Sequence, residues 1–285
     1  MPQKYEELKF TDDFMFCKVL TTNPDLCHEL LELIIGKKVG KFTRLDKQEP
    51  IEITSDGKGI RFDVYSEDDS DTVYDCEMQT TDNSNLPKRT RYYQGMIDLN
   101  LIERGANYNE LKKSYIIFIC PFDVFGQGLH KYTFETYCTE LPGYKLADES
   151  TKIFLCAGGN ANDVSENMQA FLDWLTTGKR NPNTLVNKLE DAVEKVRNSE
   201  EWRLEFMTLL MRDKAKYNEG LEQGLEQGLE QGLEQGLERG RLNEIFSSVQ
   251  EGDYSAQRGA QKANMTLPEF ETAMEKAGYT IPKHI

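Results

Sequence analysis

Two short runs in the 285-residue chain place acids inside otherwise apolar, strand-like sequence: Arg61-Phe62-Asp63-Val64 and Cys76-Glu77-Met78-Gln79. Side chains alternate along a strand, so Glu77 and Gln79 share one side while Met78 takes the other. Between the runs, Glu67-Asp68-Asp69-Ser70-Asp71 is turn-forming. If the strands pair through it, counting back from its middle sets Asp63 and Glu77 at similar heights on one face. Two carboxylates so placed repel each other by about a few kcal/mol at ~4 Å in a protein-like dielectric. A divalent cation converts that repulsion into affinity, because carboxylates, water and phosphate oxygens form the hard-oxygen shell that Mg²⁺ prefers. Such an ion lowers the pKa of a bound water and neutralises charge building on phosphorus. The alternative is a pair of solvent-facing acids on strand surfaces. The apolar neighbours Phe62, Val64, Cys76 and Met78 favour the inward reading, since an acid facing a core requires a reason.

The elements that must position these acids follow from periodicity. Residues from about Asp12 to Ile35 read as helix, with Phe14, Phe16, Val19, Leu20, Leu30, Leu31 and Ile34 at near-helical spacing and a break at Asn23-Pro24. Three strands follow, Lys41 to Ile53, Gly59 to Ser66 and Thr72 to Thr80. Their turn-rich connections, Ser55-Asp56-Gly57 among them, suit an antiparallel meander. A helix from about Pro87 to Arg104 leads to the apolar run Tyr115 to Cys120, of the kind buried on both faces of a sheet. Thr133 to Thr139 and Ile153 to Cys156 are further strand candidates. The order α-β-β-β-α-β predicts an α/β or α+β domain with a mixed central sheet. From Val164 the chain turns helical, with amphipathic stretches at Gln169 to Leu175 and Asn183 to Met211.

Composition narrows the chemistry. Six cysteines stand without a CxxC pair, mostly in apolar stretches, which is the spacing of buried free thiols. His28, His130 and His284 are too dispersed to suggest a histidine metal cluster or a His-centred triad. No apolar run has the length to cross a bilayer, and the N-terminal sequence lacks a secretory apolar segment, so the expectation is a cytoplasmic protein without membrane contact. The net charge of −15 opposes phosphate binding. Against it stands a basic cluster, Lys88, Arg89 and Arg91, with Arg104, Lys112 and Lys113 soon after, so a local basic face on an acidic protein is the expectation.

After Asn218 the tetrad Gly-Leu-Glu-Gln occurs four times and is followed by Gly-Leu-Glu-Arg, from Gly220 to Arg239. Glycine costs roughly 1 kcal/mol relative to alanine inside a helix. Leucine every fourth residue still draws a stripe that drifts about 40° per repeat around a helix. Two readings stand side by side: a helical arm that pairs with another copy of the chain, and an expandable linker of partial helicity. The segment from Leu242 to Tyr279 reads as small helices broken at Glu251-Gly252-Asp253 and Thr266-Leu267-Pro268. Although its order is helix-turn-helix-like, it carries few basic residues, which points to packing or protein contact.

Several motifs together give the chain a family resemblance: Phe10-Thr-Asp-Asp-Phe-Met-Phe16, Arg61-Phe-Asp-Val64, Tyr74-Asp-Cys-Glu-Met-Gln79, Arg89-Thr-Arg-Tyr-Tyr-Gln94 and Gly105-x-x-Tyr108-x-x-Leu111. The pattern resembles the PD-(D/E)XK nuclease superfamily and, more narrowly, the recombination-promoting (Rpn) nucleases, or PD-(D/E)XK nuclease family transposases, over roughly residues 10 to 240. The resemblance implies an α/β, restriction-endonuclease-like αβββαβ core with a mixed central sheet, followed by a helical C-terminal region. On that basis residues 1–160 would be the core, 161–218 a helical extension, 219–240 the repeat and 241–285 a small helical segment. The implied activity is metal-dependent endonucleolytic cleavage of DNA linked to recombination or mobile elements, with Mg²⁺ as cofactor and Mn²⁺ as a substitute. Asp63 and Glu77 carry over as metal ligands, with the Met78 backbone carbonyl a further one. Gln79 stands where the superfamily has lysine, and Gln94 on the next helix is expected to support the site. Asp13 or Glu32 could add a carboxylate, although helix capping is preferred for Asp13 and a solvated face for Glu32. Lys88, Arg89 and Arg91 are expected to contact DNA phosphates near a helix N-terminus, with Tyr92 and Tyr93 packing on the sheet. Phe62 in place of the signature proline removes no chemistry. Gln79 in place of lysine removes a cation, leaving neutral hydrogen bonds. The competing expectation is therefore a catalytically impaired nuclease fold serving as a nucleic-acid-binding or oligomeric interaction module.

Overall fold

The computed structural model describes residues 4–51, 60–82 and 84–281. The turn expected at Ser55-Asp56-Gly57, the ends of the first two strands beyond Ile51 and before Ile60, and His284 lie outside the described residues. The chain divides into two compact units, Met1–Met207 and Thr208–Ile285.

In the first unit a six-stranded mixed sheet is formed by β1 (Phe42–Ile51), β2 (Ile60–Asp68), β3 (Val73–Met78), β4 (Ser114–Cys120), β5 (Lys131–Phe134) and β6 (Ser150–Cys156), in the order β1-β2-β3-β4-β6-β5. β1, β2 and β3 form the expected antiparallel meander, while β4 runs parallel to both β3 and β6. Every residue of β4 is buried, as its unbroken apolar run requires at the centre of a sheet. The turn between β2 and β3 fixes the height of the acids. Asp68 accepts the N–H groups of Ser70 and Thr72 at 3.0 Å through one oxygen, and the Gly40 N–H (3.0 Å) and the Tyr74 O–H (2.7 Å) through the other. A buried carboxylate with four donors pins the turn, and the register runs from Glu67 opposite Val73 to Val64 opposite Cys76.

Helices cover both sides. α1 (Asp13–Thr22) and α2 (Pro24–Ile35) are separated at Asn23, with Pro24 opening α2 where its missing N–H costs nothing. Gly36 ends α2 at φ +78°, a left-handed conformation that glycine adopts without strain. α1 packs on β1 and β2, and α2 on β1. Opposite them, α3 (Leu86–Leu101) lays Leu86, Tyr93, Met96 and Ile97 on Tyr65, Val73, Ile116, Phe118 and Phe154. The helices α4 (Glu166–Thr177) and α5 (Thr184–Arg197) pack on α1 and α2, with Phe10 meeting Phe171 and Trp174 edge-on and tilted. Residues 166–207 fall within the first compact unit, and their apolar faces complete its core. The amphipathic stretch read from Asn183 to Met211 is interrupted at Asn198, the C-cap of α5, before α6 (Glu200–Gln250) begins.

The repeat is helical throughout, inside α6. In the second unit the end of α6 packs with α7 (Ala256–Ala263) and α8 (Leu267–Lys276) around Phe246, Val249, Phe270 and Met274. Gly259 allows that approach, since a Cβ there would stand 2.7 Å from both Phe270 and Val249. No helix among the described residues is long and apolar enough to cross a membrane.

Candidate active site

Beyond Val64 and Cys76 the β2/β3 ladder opens, and side chains take over its hydrogen bonds. Glu77 Oε1 accepts the backbone N–H of Asp63 at 2.9 Å, and Asp63 Oδ2 accepts that of Met78 at 3.1 Å. The strands therefore bring Asp63 and Glu77 together, but not by the simple one-face alternation that the sequence suggests. Phe62 packs edge-on against Tyr93 of α3, whereas Asp63 turns to α1. There, carboxylate oxygens of Asp13 and Asp63 and the sulfur of Cys17 all lie within 4.8 Å of one another. Cys17 donates to Asp13 Oδ1 at 3.6 Å, and burial, with Asp63 and Asp13 beside it, pushes its thiol far up. As a neutral thiol it positions Asp13 and offers no thiolate.

A fourth acid completes the cluster. Asp75, two residues before Glu77 on β3, is fully buried. Neither of its carboxyl oxygens has a hydrogen-bond partner of normal geometry among the described residues. Burial, with Glu77 next to it, holds Asp75 well above the usual carboxylate range. Asp63 is pushed up to about 9, first by burial and then by Glu77 and Asp13. Glu77, only 1% exposed, is also raised by burial, against the opposing pull of the Asp63 N–H and of Arg89. The acids form a gradient from exposed Asp13 through half-buried Asp63 to buried Glu77 and Asp75. Carboxyl oxygens that crowd together under burial, open to solvent at Asp13 and with only the Cys17 thiol among them as a soft donor, suit a hard divalent cation. The residues present fit such an ion.

On the α3 side Arg89 gathers the remaining groups. Its Nη2 donates to Glu77 Oε2 at 2.8 Å, and its Nη1 to Gln79 Oε1 at 2.7 Å. Tyr93 Oη accepts from Nε and Nη2 at 2.8 and 2.5 Å. Arg89 is thus a member of the cluster, unlike Lys88 and Arg91, which are exposed on α3 without ion pairs among the described residues. Tyr93 packs inside as expected, but Tyr92 is 41% exposed. Lys112 is taken by Glu67 at 2.6 Å and Asp71 at 3.3 Å.

The structure does not bring Gln94 to the acids. Its Nε2 donates to Asp98 at 2.9 Å, and its Oε1 accepts from Ser114 Oγ at 2.9 Å. Ser114 begins β4, whereas the β4 residue in register with Glu77 is Phe118, so roughly 13 Å of strand separates them. Glu32 is likewise distant in role: it accepts from Lys38 and the Val39 N–H. The preference for capping at Asp13 is overturned, since Asp12 occupies the N-cap position and Asp13 reaches Asp63. Asp75 was overlooked, although its two-residue spacing from Glu77 was the signal. His28 and His130 bond to backbone carbonyls and to Asp163, away from the cluster.

Set against known proteins, the chain matches a family profile described as PD-(D/E)XK nuclease family transposase over residues 10–226. No curated protein and no solved structure matches.

Proposed function

The chain belongs to the PD-(D/E)XK nuclease family transposases, and from that membership we propose that it is a DNA endonuclease acting through the cluster around Asp63 and Glu77. Mg²⁺ is the proposed cofactor, with Mn²⁺ as a substitute. The observation that supports this most directly is the reciprocal linkage of Asp63 and Glu77 across opened strands, with Asp13 alongside. Asp63, Glu77 and Asp13 would hold the ion, together with the backbone carbonyl of Met78. Bound there, a divalent cation supplies charge to the scissile phosphate and acidifies a water.

The chain's own groups do the rest. The backbone N–H groups of Asp63 and Met78 hold each carboxylate in place, leaving other lone pairs for ligation. Buried Asp75 keeps a proton and so spares the cluster another negative charge. Lys88 and Arg91, exposed on the first turns of α3, would contact flanking phosphates and offset locally the net charge of −15. The transposase description supports a role in recombination or mobile-element biology. Self-association would run through the Gly220–Arg239 stretch, where Leu221, Leu225, Leu229, Leu233 and Leu237 are 53–76% exposed.

The test is incubation of supercoiled plasmid with the purified chain and Mg²⁺ or Mn²⁺, with Asp63→Ala as control. Metal-dependent nicking that disappears in the variant supports the reading. Cutting that persists in Asp63→Ala belongs to a contaminant. A wild type inactive with either metal across a range of salt would instead indicate a nuclease fold kept for nucleic-acid binding or assembly.

A further inference from the structure

The sequence left one chemical deficit just past the end of β3: the position two residues beyond Glu77 carries a neutral amide. The structure places a cation beside that amide from another element. Among the described residues, the guanidinium of Arg89 makes the ion pair to Glu77, and no other ion pair to Asp63, Asp75 or Glu77 is formed. We propose that Arg89, reaching in from α3, supplies the fixed positive charge at the scissile phosphate, and that Gln79 is its holder; this rests on the nuclease reading above.

Three features of the geometry carry the assignment. Gln79 Nε2 donates to Thr81 O at 2.5 Å, which turns Oε1 toward Arg89 and makes residue 79 an acceptor in this network. A lysine at 79 would put an ammonium within about 3 Å of the guanidinium and repel it. The neutral amide just past β3 and the cation on the helix are therefore two halves of one arrangement. Arg89 is also held before any substrate arrives. Tyr93 Oη takes Nε and Nη2, and the guanidinium carbon lies 4.9 Å from the Tyr93 ring centre and 5.3 Å from that of Phe118. A charge already fixed in place need not reorganise when the transition state forms, which is where electrostatic catalysis gains most. Finally, the group is not saturated. Of the five N–H bonds in a guanidinium, one on Nη1 has no partner among the described residues, and the side chain is 32% exposed. That donor is available to a phosphoryl oxygen. Arg89 stays protonated throughout, moving no proton and donating only hydrogen bonds.

A DNA anchor, a structural strut for Glu77 and a catalytic cation predict different kinetics. Cleavage by the full-length chain is measured at saturating DNA and Mn²⁺ for wild type, Arg89→Gln, Gln79→Lys and the swap Arg89→Gln/Gln79→Lys, with DNA Kd measured separately. Arg89→Gln is expected to lower kcat about 10²–10³-fold, the usual loss for one preorganised donor, with Kd changed less than about threefold. The swap, which returns a cation to position 79, is expected to recover at least about tenfold, while Gln79→Lys alone lowers kcat. Unchanged kcat with weakened Kd would make Arg89 an anchor and overturn the proposal, as would a folded swap variant no faster than Arg89→Gln. If Arg89→Gln fails to fold by circular dichroism, Arg89→Lys decides: activity within about tenfold of wild type supports the charge assignment, and a folded but inactive protein refutes it. An inactive wild type defeats the nuclease reading itself, which these failures in an active enzyme do not.

Discussion

Asp63 and Glu77 each accept a hydrogen bond from the other's strand, Glu77 from the Asp63 N–H at 2.9 Å and Asp63 from the Met78 N–H at 3.1 Å. This linkage holds two carboxyls together in a buried setting where both cannot ionise cheaply, and stability without metal must then depend on pH. Asp63 is pushed up to about 9 by burial, then by Glu77 and Asp13, whereas an unfolded aspartate titrates near ~3.9. The folded state therefore binds the extra proton. Its contribution is complete below about pH 4 and is lost as pH rises through about 9. Glu77 and Asp75, also raised, act with the same sign. The melting temperature in a chelator should fall between pH 5 and 9, and Asp63→Asn should flatten that slope. A wild-type melting temperature that climbs across this window contradicts the protonated cluster.

A cation that takes the place of those protons must release them. Mn²⁺ should bind more tightly at pH 8.5 than at pH 6.5, with proton release visible as a buffer-dependent heat in calorimetry. Asp63→Asn should abolish binding, and Asp13→Asn should weaken it by about 10–100-fold, the range seen when groups around a metal are lost. Equal affinity in Asp13→Asn and wild type would return Asp13 to the start of α1 as a purely helical residue.

How much of this was legible in the sequence depends on what each residue answers to. The acidic turn set Asp63 and Glu77 at matching heights, because Asp68 closes it and the register follows from there. The opening of the ladder beyond Val64 was not legible, since it depends on α1 supplying Asp13 and on Phe62 meeting Tyr93. Asp13 was ambiguous because an acid at a helix start is stabilised by the helix whatever else it does. Gln94 could be told apart from the cluster only once the fold had placed Arg89 there. Five residues from Arg89, it lies about 140° around the helix, so the two cannot face one cluster. Arg89 itself was visible as a basic residue, but its partners come from β3 and became clear only with the fold.

Gln94 offers a clean contrast with the cluster. Its Oε1 accepts from Ser114 Oγ, and Ser114 is completely buried. Gln94→Ala should leave that hydroxyl unpaired and cost about 1–3 kcal/mol of stability. Plasmid cutting should stay within about twofold of wild type. Urea unfolding and nicking assays on the same preparation check both halves. A hundredfold loss of cutting at unchanged stability would bring Gln94 back into the reaction.

The repeat in α6 allows its two readings to be separated. Gly224, Gly228 and Gly232 lie in the helix, and a Cβ on any of them meets nothing within 4 Å. As an isolated helix, each alanine substitution should stabilise it by about 0.5–1 kcal/mol. In a pair of helices the same methyl groups would fall beside the leucine ridge, because glycine and leucine are adjacent in every tetrad and both recur every fourth residue. Gly224→Ala/Gly228→Ala/Gly232→Ala should therefore raise helicity while lowering the molar mass in light scattering, and Leu225→Ala/Leu229→Ala/Leu233→Ala should lower the mass without the gain in helicity. The pairing idea fails if the leucine variant keeps the wild-type mass, or if the wild type is already monomeric at tens of micromolar. The glycines would then be understood as the cost of an expandable spacer, tolerated because nothing packs against them.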